Sequence, residues 1–354
     1  MTTIASVAER AIRLKTDWDT LRATRSLRNR DAAQVLSVSE GDLIAACVGD
    51  TAIRLHTRFQ EMLAKLESVG QVMALTRNES CVHEKDGVYV NVSGEGHVGL
   101  TLGEDIDLRL FFSQWRHGFA VADTTPRGVM RSLQFFDQAG EAVHKVFLRE
   151  HSDLIAYTAL VDEFTAGDQS PGIDTIALPA KPAPLPDDAI DVAGFRDAWA
   201  NMFDTHEFFG VLKKFALTRT QALRLAEKQF AQAVGLDSAR RLLERVSADG
   251  TAIMVFVGNP GCIQIHTGPV AQIIIMDGWL NVLDPGFNLH LRQDQIANAW
   301  VVRKPTADGE VTSLELFDQA GETIAMFFGK RKTGNPELPE WRTTVAELFP
   351  AAAA

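Results

Sequence analysis

"FDQAGE" is written at residues 136–141 and again at residues 317–322. With an offset of 181 and no gaps, "RSLQFFDQAGEAVHKV" (131–146) aligns with "TSLELFDQAGETIAMF" (312–327). The offset also pairs Trp18 with Trp199, Asn78 with Asn259, Cys81 with Cys262 and Arg109 with His290. Because matches at one spacing run along most of the chain, the sequence indicates a tandem duplication with a domain-sized unit in each copy.

A proline-rich stretch separates the two copies. "SPGIDTIALPAKPAPLPDDAIDV" spans residues 170–192, and five of its prolines fall within sixteen residues, which favours a stiff, extended connector over a packed element. A chain of 354 residues also exceeds the size of one comfortable hydrophobic core. We therefore predict an N-terminal repeat at residues 1–165, a linker at 166–190 and a C-terminal repeat at 191–354.

Each copy opens with helical spacing and continues with strand-like runs. The apolar residues at helix intervals in the first copy are Phe59, Met62, Leu63 and Leu66. The β-rich runs that follow include "VYVNV", "VGLTL", "LRLFF", "FAVAD", "RSLQFFD" and "AVHKVFLR". "FDQAGE" has the pattern of a hairpin turn, with Gly140 or Gly321 in the left-handed conformation. The sequence predicts an α+β fold of two similar halves, each a helical cap plus a large antiparallel meander sheet, with the sheets stacked.

Composition and charge narrow the class of protein. The chain is 46% hydrophobic with a formal net charge of -11, which argues against general binding to nucleic acids or anionic membranes. It has three cysteines without a CxxC pair, a usage that suits reduced thiols. The first residues lack an apolar signal core, and no apolar run is long enough to span a bilayer. We expect a soluble, cytoplasmic protein.

Two motifs have plain structural interpretations. "GEGHVG" (94–99) matches GxGxxG, but strand-like residues flank it on both sides, so a hairpin turn is favoured over a dinucleotide loop. "RDAAQVLSVSEGDLIAACVG" (30–49) resembles a helix-turn-helix in which Ser39 and Asp42 form a capping box, and residues 218–235 echo it in the second copy. Its second helix has no basic residue to reach a base, so ordinary helix packing is favoured and a DNA-binding regulator is a remote alternative.

His206 lies in "WANMFDTHEFFGVLKKF" (199–215), which has the pattern of one helix. On that helix Trp199, Met202, Phe203, His206, Phe209 and Gly210 would share one face. A hydrogen-bonded core histidine is the ordinary interpretation of such a face. The alternative is an axial haem ligand on an aromatic wall, with Gly210 leaving room for the macrocycle. At the offset of 181, His206 maps onto Arg25.

Arg109 is the second position at which the copies differ, because it maps onto His290. Strand alternation in "DIDLRLFF" places Arg109 and Phe111 on one face. Taken alone, Arg109 is typical of a residue in a surface ion pair at a sheet edge. A duplicated scaffold that acquired one asymmetric site would also show such differences.

The chain resembles the bacterial haemin-degrading factor family, the cytoplasmic haem-trafficking proteins of the HemS, ChuS, PhuS and HmuS type. The motifs that carry the resemblance are "DLRLFFSQWRHGF" (107–119), "SLQFFDQAGEAVHKV" (132–146), "DTHEFF" (204–209), "FVGNPGC" (256–262) and "TSLELFDQAGE" (312–322). It extends from about residue 20 to residue 345 and includes the internal doubling. It implies two similar halves with large stacked antiparallel sheets and one haem b in a cleft between them.

The resemblance also implies roles for individual residues. His206, in the D-x-H-x-F-F motif, corresponds to the proximal ligand of the haem iron, and Arg109 to the distal arginine. The remaining pocket positions are Phe111, Arg219, Phe256, Lys304, Phe328 and Arg331. The three phenylalanines would cover the ring, and the three cations would meet the propionates. Met326 stands where the family pattern has a glutamine, and Phe328 where it has a tyrosine.

Two functions follow from the resemblance. The first is a haem-binding carrier that accepts haem imported by an ABC transporter and passes it to a haem oxygenase for iron acquisition. The alternative is an enzyme that opens the porphyrin itself, with Arg109 as the catalytic residue and with electrons from an external donor. The choice between carrier and enzyme stays open at this point.

Overall fold

The computed structural model describes residues 6–126, 128–331 and 334–349. The helices are α1 (Val7–Thr24), α2 (Asn29–Leu36), α3 (Glu40–Ala46), α4 (Phe59–Ala64), α5 (Leu154–Phe164), α6 (Val192–Ala200), α7 (Glu207–Lys214), α8 (Arg219–Leu225), α9 (Ser238–Asp249) and α10 (Pro339–Ala346). The strands are β1 (Ala52–Arg54), β2 (Gly70–Arg77), β3 (Cys81–Gly87), β4 (Val92–Glu95), β5 (Val98–Leu102), β6 (Asp107–Phe111), β7 (His117–Thr125), β8 (Gly128–Phe136), β9 (Ala142–Ser152), β10 (Ala231–Ala233), β11 (Ile253–Asn259), β12 (Cys262–Gly268), β13 (Ile273–Met276), β14 (Trp279–Asp284), β15 (Phe287–Arg292), β16 (Asn298–Thr306), β17 (Gly309–Phe317) and β18 (Thr323–Gly329).

These strands form two antiparallel sheets of nine strands each, so the predicted α+β class with antiparallel sheets is confirmed. The chain divides into two compact units. Unit 1 comprises Met1–Arg77, Glu84–Pro179 and Asn259–Gln264, and unit 2 comprises Asn78–His83, Ala180–Gly258 and Ile265–Ala354. No helix or strand occurs in residues 166–186. The predicted domain limits at 165 and 190 stay a prediction.

In unit 1, strands β1-β7-β8-β9-β2 are hydrogen-bonded in that order. Alternation along β7 sends Phe119 and Val121 to the face covered by α1, α2 and α3, while Ala120 points to the other face. That other face packs against α4 and α5 through residues such as Phe59 and Phe164. The predicted helical spacing at Phe59–Leu66 is confirmed, because all four of its apolar residues are buried.

Unit 2 repeats this arrangement with the order β10-β16-β17-β18-β11. Helices α6, α7 and α8 cover one face through a core that includes Trp199, Phe208 and Phe317. Helices α9 and α10 cover the other face through a core that includes Leu242 and Trp341. Strand β17 is therefore buried on both faces over its last seven residues.

Both copies of "FDQAGE" form the predicted turn. Asp137 Oδ1 accepts hydrogen bonds from the N–H groups of Ala139 (2.8 Å) and Glu141 (2.9 Å), and Gly140 has a left-handed φ of 80°. Asp318 and Gly321 repeat this geometry in the second copy. Since glycine adopts this backbone without strain and the aspartate carboxylate accepts two of the turn's N–H groups, the turn explains why these two residues occur in both copies.

Of two further predictions in unit 1, the structure confirms a hairpin turn and contradicts a strand. "GEGHVG" joins β4 to β5, and Gly96 has a φ of 61°, so the hairpin interpretation is confirmed. The strand predicted at "VYVNV" is wrong, because β3 ends at Gly87 and Asn91 has a φ of 52°. Left-handed backbone at Asn91 interrupts the extended conformation before β4 begins.

The helix-turn-helix resemblance at residues 30–49 is a packing motif. α2 and α3 form as predicted, and Ser39 and Asp42 make the capping box. Six of the seven residues of α3 are buried, so this helix has no free face to place in a DNA groove. The echo in the second copy ends differently, because α8 is followed by strand β10.

None of the helices in the described ranges combines the length and the apolar character that crossing a bilayer requires.

Candidate ligand-binding site

His206 lies in a loop between two helices. The single helix predicted at residues 199–215 is wrong, since α6 ends at Ala200 and α7 begins at Glu207. The carboxylate of Asp204 accepts the backbone N–H of His206 at 2.8 Å, a local bond that competes with continued helix. His206 thereby occupies the position immediately before α7.

The common face predicted for this segment is also wrong. Trp199 and Met202 are buried in the core under α6 and α7, but Phe203 and Phe209 are 72% and 76% exposed. The side chain of His206 is 91% exposed, which excludes a core histidine. A Cβ at Gly210 would meet nothing within 4 Å, so this segment presents an open surface with two aromatic rings and one imidazole.

The tautomer of His206 is fixed by Asp204. His206 Nδ1 lies 2.6 Å from Asp204 Oδ1, and because a carboxylate only accepts, Nδ1 carries the proton. The hydrogen bond from the backbone N–H of His206 is the main cause that lowers the pKa of Asp204. Among the residues that the structure describes, no group bonds to Nε2 of His206. A carboxylate behind Nδ1 and a lone pair at Nε2 are what metal-binding imidazoles need.

Two of the predicted cations meet at a buried acid. Arg219, the first residue of α8, donates from Nε and Nη2 to the two carboxylate oxygens of Glu315, each at 2.7 Å. Lys304 Nζ donates to Glu315 Oε1 at 2.9 Å. The ring of Phe208, in α7, lies beneath both, at 5.1 Å from Arg219 Cζ and 4.8 Å from Lys304 Nζ. We call Arg219, Lys304 and Glu315 the charged trio; two cations and one anion leave it a net charge of +1.

Burial and charge oppose each other in the charged trio. Burial alone would raise the pKa of Glu315, but the charges of Arg219 and Lys304 outweigh it and hold that pKa well below the ordinary value. Burial lowers the pKa of Lys304, and the charge of Glu315 opposes that shift. The side chain of Glu315 is 0% exposed, so its charge depends on these two partners.

An apolar wall lies beside the charged trio on the same sheet face. Glu315 pairs across strands with Met326, and Met326 pairs with Phe256, so the three side chains point the same way. Phe328 lies in the next row, and its ring centroid is 5.0 Å from that of Phe256. We call Phe256, Met326 and Phe328 the apolar wall; each is only partly buried.

Arg331 lies apart from these contacts. Its Nη2 is 3.5 Å from Asp308 Oδ2, and the side chain is 14% exposed. Arg331 follows β18, the strand that carries Met326 and Phe328. Its predicted contact with a propionate stays a prediction.

The two site residues of unit 1 share a strand face as predicted. Along β6, Leu108 and Leu110 are buried, while Arg109 and Phe111 are partly buried on the opposite face. Arg109 Nη1 donates to the carboxylate of Asp107, and to the carbonyl of Leu108 at 3.2 Å. The ion pair expected of an ordinary surface arginine is therefore present. The distal role of Arg109 and the ring contact of Phe111 stay predictions.

The offset between the two copies changes near His206. Ser37 and Ala216 both have left-handed backbone, with φ of 57° and 52°, in the turns before α3 and α8. They are 179 positions apart, whereas Trp18 and Trp199 are 181 positions apart, so the copies differ by two residues between these two pairs. The match of His206 to Arg25, which uses the ungapped offset, stays a prediction.

The sequence analysis did not identify three residues of the site, namely Glu315, Asp204 and Phe208. Glu315 was detectable only as a lone charge in the apolar run "SLELF", at the position where the first copy has Gln134. Asp204 was visible as part of the D-x-H motif, but its effect depends on the break between α6 and α7. Phe208 had the ordinary pattern of a core residue, which it is.

Comparison with known proteins identifies the class. A family model for the haemin-degrading HemS.ChuX domain matches residues 37–164 and 216–348. The chain belongs to this family, so the resemblance predicted from the motifs is confirmed.

Several individual proteins are similar over nearly the whole chain. The hemin transport protein HmuS of Yersinia pestis is 42% identical over 324 residues, which are 90% of this chain and 92% of that protein. Holo-PhuS, a heme-binding protein of Pseudomonas aeruginosa, is 49% identical with a TM-score of 0.94, over 97% of this chain and 99% of that one. ChuS, a heme-degrading enzyme of Escherichia coli O157:H7, is 39% identical with a TM-score of 0.89, over 96% of this chain and 100% of that one.

Proposed function

We propose that this protein binds haem as cargo, receiving imported haem in the cytoplasm and delivering it for degradation in iron acquisition. The observation that carries the proposal is His206, an exposed imidazole whose Nδ1–H is held by Asp204 and whose Nε2 points to no described partner. Neutral imidazole is a usual ligand of haem iron. HmuS, named a hemin transport protein, and PhuS, named a heme-binding protein, support the assignment.

The other groups of unit 2 suit the rest of the ligand. Haem is a flat apolar ring with an iron at its centre and two carboxylates at one edge. The apolar wall offers two aromatic rings and a thioether, which favour contact with such a ring. Arg219, Lys304 and Arg331 would serve the carboxylates, although the first two already share Glu315. The net charge of +1 on the charged trio would attract these carboxylates.

Arg109 and Phe111 complete the proposal from unit 1. A guanidinium stays protonated at any ordinary pH, so Arg109 would act as a hydrogen-bond donor rather than as a metal ligand. Replacing Arg109 with Gln should leave haemin bound and change the absorption spectrum of the complex. An unchanged spectrum would remove Arg109 from the site.

A haemin titration tests the central assignment. We expect wild-type protein to give a shifted Soret band and His206→Ala to lose that band position together with about tenfold or more in affinity. His151→Ala removes another exposed imidazole, from β9, and should bind as wild type does. If His206→Ala and wild type give the same spectrum and affinity, His206 is not the ligand.

The second candidate function is opening of the porphyrin by this protein. ChuS, described as a heme-degrading enzyme, favours it, and an arginine at the distal side would stabilise developing negative charge. The assay is turnover with an added reductase in the presence of catalase. Degradation that continues with peroxide removed would support an enzyme, whereas loss of degradation would leave the carrier.

We also propose two kinds of protein partner. The cytoplasmic side of a haem ABC transporter would supply the cargo, and a haem oxygenase would receive it. Haem transfer from the loaded protein to a haem oxygenase, followed by the absorption of each holo form, tests the second. A transfer rate no greater than spontaneous haem loss would contradict it.

A further inference from the structure

Glu315 is a buried acid to which the proposed function assigns no task. We propose that Glu315 is a positioning residue: it fixes Arg219 and Lys304 beside the apolar wall so that unit 2 selects ligands bearing a carboxylate at the ring edge. The inference rests on the haem-binding function proposed above, and it concerns selectivity between ligands rather than binding itself.

The carboxylate of Glu315 is saturated with donors. Besides three hydrogen bonds from Arg219 and Lys304, it accepts one from the hydroxyl of Ser313 at 3.1 Å. Two parallel bonds from Arg219 fix the plane of the guanidinium as well as its position. A group held in this way loses little further rotamer freedom when a ligand arrives, which strengthens binding.

Arg219 needs such a partner because of its place in the fold. It is the first residue of α8, where the helix dipole disfavours a positive charge. Its Nη2 also lies 3.4 Å from Met326 Sδ, which puts the guanidinium at the margin of the apolar wall. Without Glu315, the dipole and the length of the side chain would both favour other orientations.

Lys304 depends on Glu315 for its charge. Its side chain is 5% exposed, and burial without a counter-charge favours the neutral amine. The carboxylate of Glu315, 2.9 Å away, opposes that effect by favouring the ammonium form, and an ammonium paired with a carboxylate is neutral. The net positive charge of the trio is therefore that of Arg219, the member with 26% of its side chain exposed.

Among the described residues of unit 1, no second trio of two cations and one buried acid occurs. Gln134 stands at the position of Glu315, and a buried ion pair joins Lys145 to Glu40 at 2.5 Å. That pair has one cation and one anion, so it offers no net charge to a ligand. Glu40→Gln is therefore a matched control that breaks a buried acid–lysine contact outside the charged trio.

The test compares two ligands that differ only in their carboxylates. Haemin and haemin dimethyl ester would be titrated into wild type, Glu315→Gln, Arg219→Gln, the double variant and Glu40→Gln. We expect wild type and Glu40→Gln to prefer haemin by about tenfold, the size of one charge-assisted contact. Glu315→Gln should lower the preference to about twofold, while affinity for the ester changes little.

A double-mutant comparison separates positioning from direct contact. If Glu315 acts through Arg219, the double variant should show the same preference as Arg219→Gln alone. Glu315→Asp keeps the negative charge on a side chain one methylene shorter and should give an intermediate preference for haemin over the ester. If the Gln variant does not fold, the Asp variant provides the test of whether Glu315 positions the cations. A merely structural role would weaken haemin and its ester together and would leave the preference between them unchanged.

Three results would overturn the inference. An unaltered preference in folded Glu315→Gln would show that the acid does not position the cations. Equal weakening of haemin and its ester would show a general loss of structure. Wild type that binds both ligands equally well has no carboxylate selectivity to explain, whereas wild type that binds neither contradicts the proposed function itself.

Discussion

Three matched core positions are polar in unit 1 and apolar in unit 2, and a fourth is cysteine in both. The polar residues of unit 1 are Thr76, Tyr89 and His144, and their counterparts in unit 2 are Val257, Val270 and Ala325; the matched cysteines are Cys262 in unit 1 and Cys81 in unit 2. All eight are buried, and the four in unit 2 belong to one hydrophobic cluster. The same fold therefore accommodates two different core chemistries at the same places.

The unit 1 quartet is a closed network around His144. The ring nitrogens Nε2 and Nδ1 lie 2.6 Å from the hydroxyl of Tyr89 and 2.9 Å from that of Thr76. Thr76 Oγ1 lies 3.4 Å from Cys262 Sγ. Burial lowers the pKa of His144 to about 3 and raises the pKa of Cys262 to about 12. The network is uncharged at neutral pH, so it suits an interior without solvent.

In unit 2 a buried polar group is formed by the ionised side chains of the charged trio, and they lie at other positions of the fold than the unit 1 quartet. The charged trio lies on the face of β17 covered by α6 to α8, where unit 1 has Gln134 instead of Glu315. The comparison indicates that apolar periodicity and turns preserve the duplicated fold, whereas buried polar groups diverge. In unit 2 that divergence produced charge beside the apolar wall, and in unit 1 a neutral network.

The largest stability difference should come from Glu315. Glu315→Ala leaves two cations without their counter-ion, and we expect a loss of about 3–5 kcal/mol in the free energy of unfolding. Gln134→Ala, at the matched position in unit 1, removes only neutral contacts and should cost about 1–2 kcal/mol. Urea unfolding of both variants measures the gap. Equal losses would show that the charge in unit 2 has no special weight.

His144 comes next. His144→Ala removes a buried ring and leaves the hydroxyls of Tyr89 and Thr76 without their partner, so we expect a loss of about 2–4 kcal/mol at pH 7. A loss below about 1 kcal/mol would mean that the network contributes little to the stability of unit 1. Apolar residues such as those at the matched positions of unit 2 would then stabilise either core equally well.

The stability that His144 contributes should depend on pH. Its pKa is about 3 in the folded protein and about 6.5 when unfolded, so the unfolded state takes up the proton first as pH falls. The contribution is complete above the unfolded value and shrinks by about 1.4 kcal/mol per pH unit below it. The difference between wild type and His144→Ala should therefore narrow between pH 6.5 and pH 4.5; a constant difference would contradict the buried neutral ring.

A smaller effect separates the two tyrosines, both in unit 1. Tyr89→Phe loses a contact of 2.6 Å to His144 and should cost about 1–2 kcal/mol. Tyr157 donates to the carbonyl of Ser132 at 3.3 Å, so Tyr157→Phe should cost less. Thermal unfolding of the two variants gives the order, and the reverse order would remove Tyr89 from the network.

The smallest effect is expected at His206. Because its side chain is 91% exposed, His206→Ala should change the free energy of unfolding by less than about 0.5 kcal/mol. Loss of haemin binding in this variant would then reflect the ligand contact alone. A large loss of stability would mean that His206 supports the loop before α7.

The sequence predicted the repeated architecture because its signals are local. Strand alternation, the glycine of "FDQAGE" and the capping box at Ser39 act within a few residues, and each was found in the structure. The break before His206 was missed because the helical spacing of apolar residues continues past Ala200, where α6 ends. The bond from the backbone N–H of His206 to Asp204 lies in the loop that follows. The bond between Arg219 and Glu315 could not be predicted, since the two residues are 96 positions apart and only the packing of α8 on the sheet brings them together.

Imidazole complementation tests the central claim most directly. His206→Gly removes the proposed ligand from an exposed position and leaves space for free imidazole beside the remaining groups. We predict that haemin bound to this variant lacks the wild-type Soret band and regains it when imidazole is added. A wild-type band in His206→Gly before any imidazole is added would contradict the claim that Nε2 of His206 binds the iron.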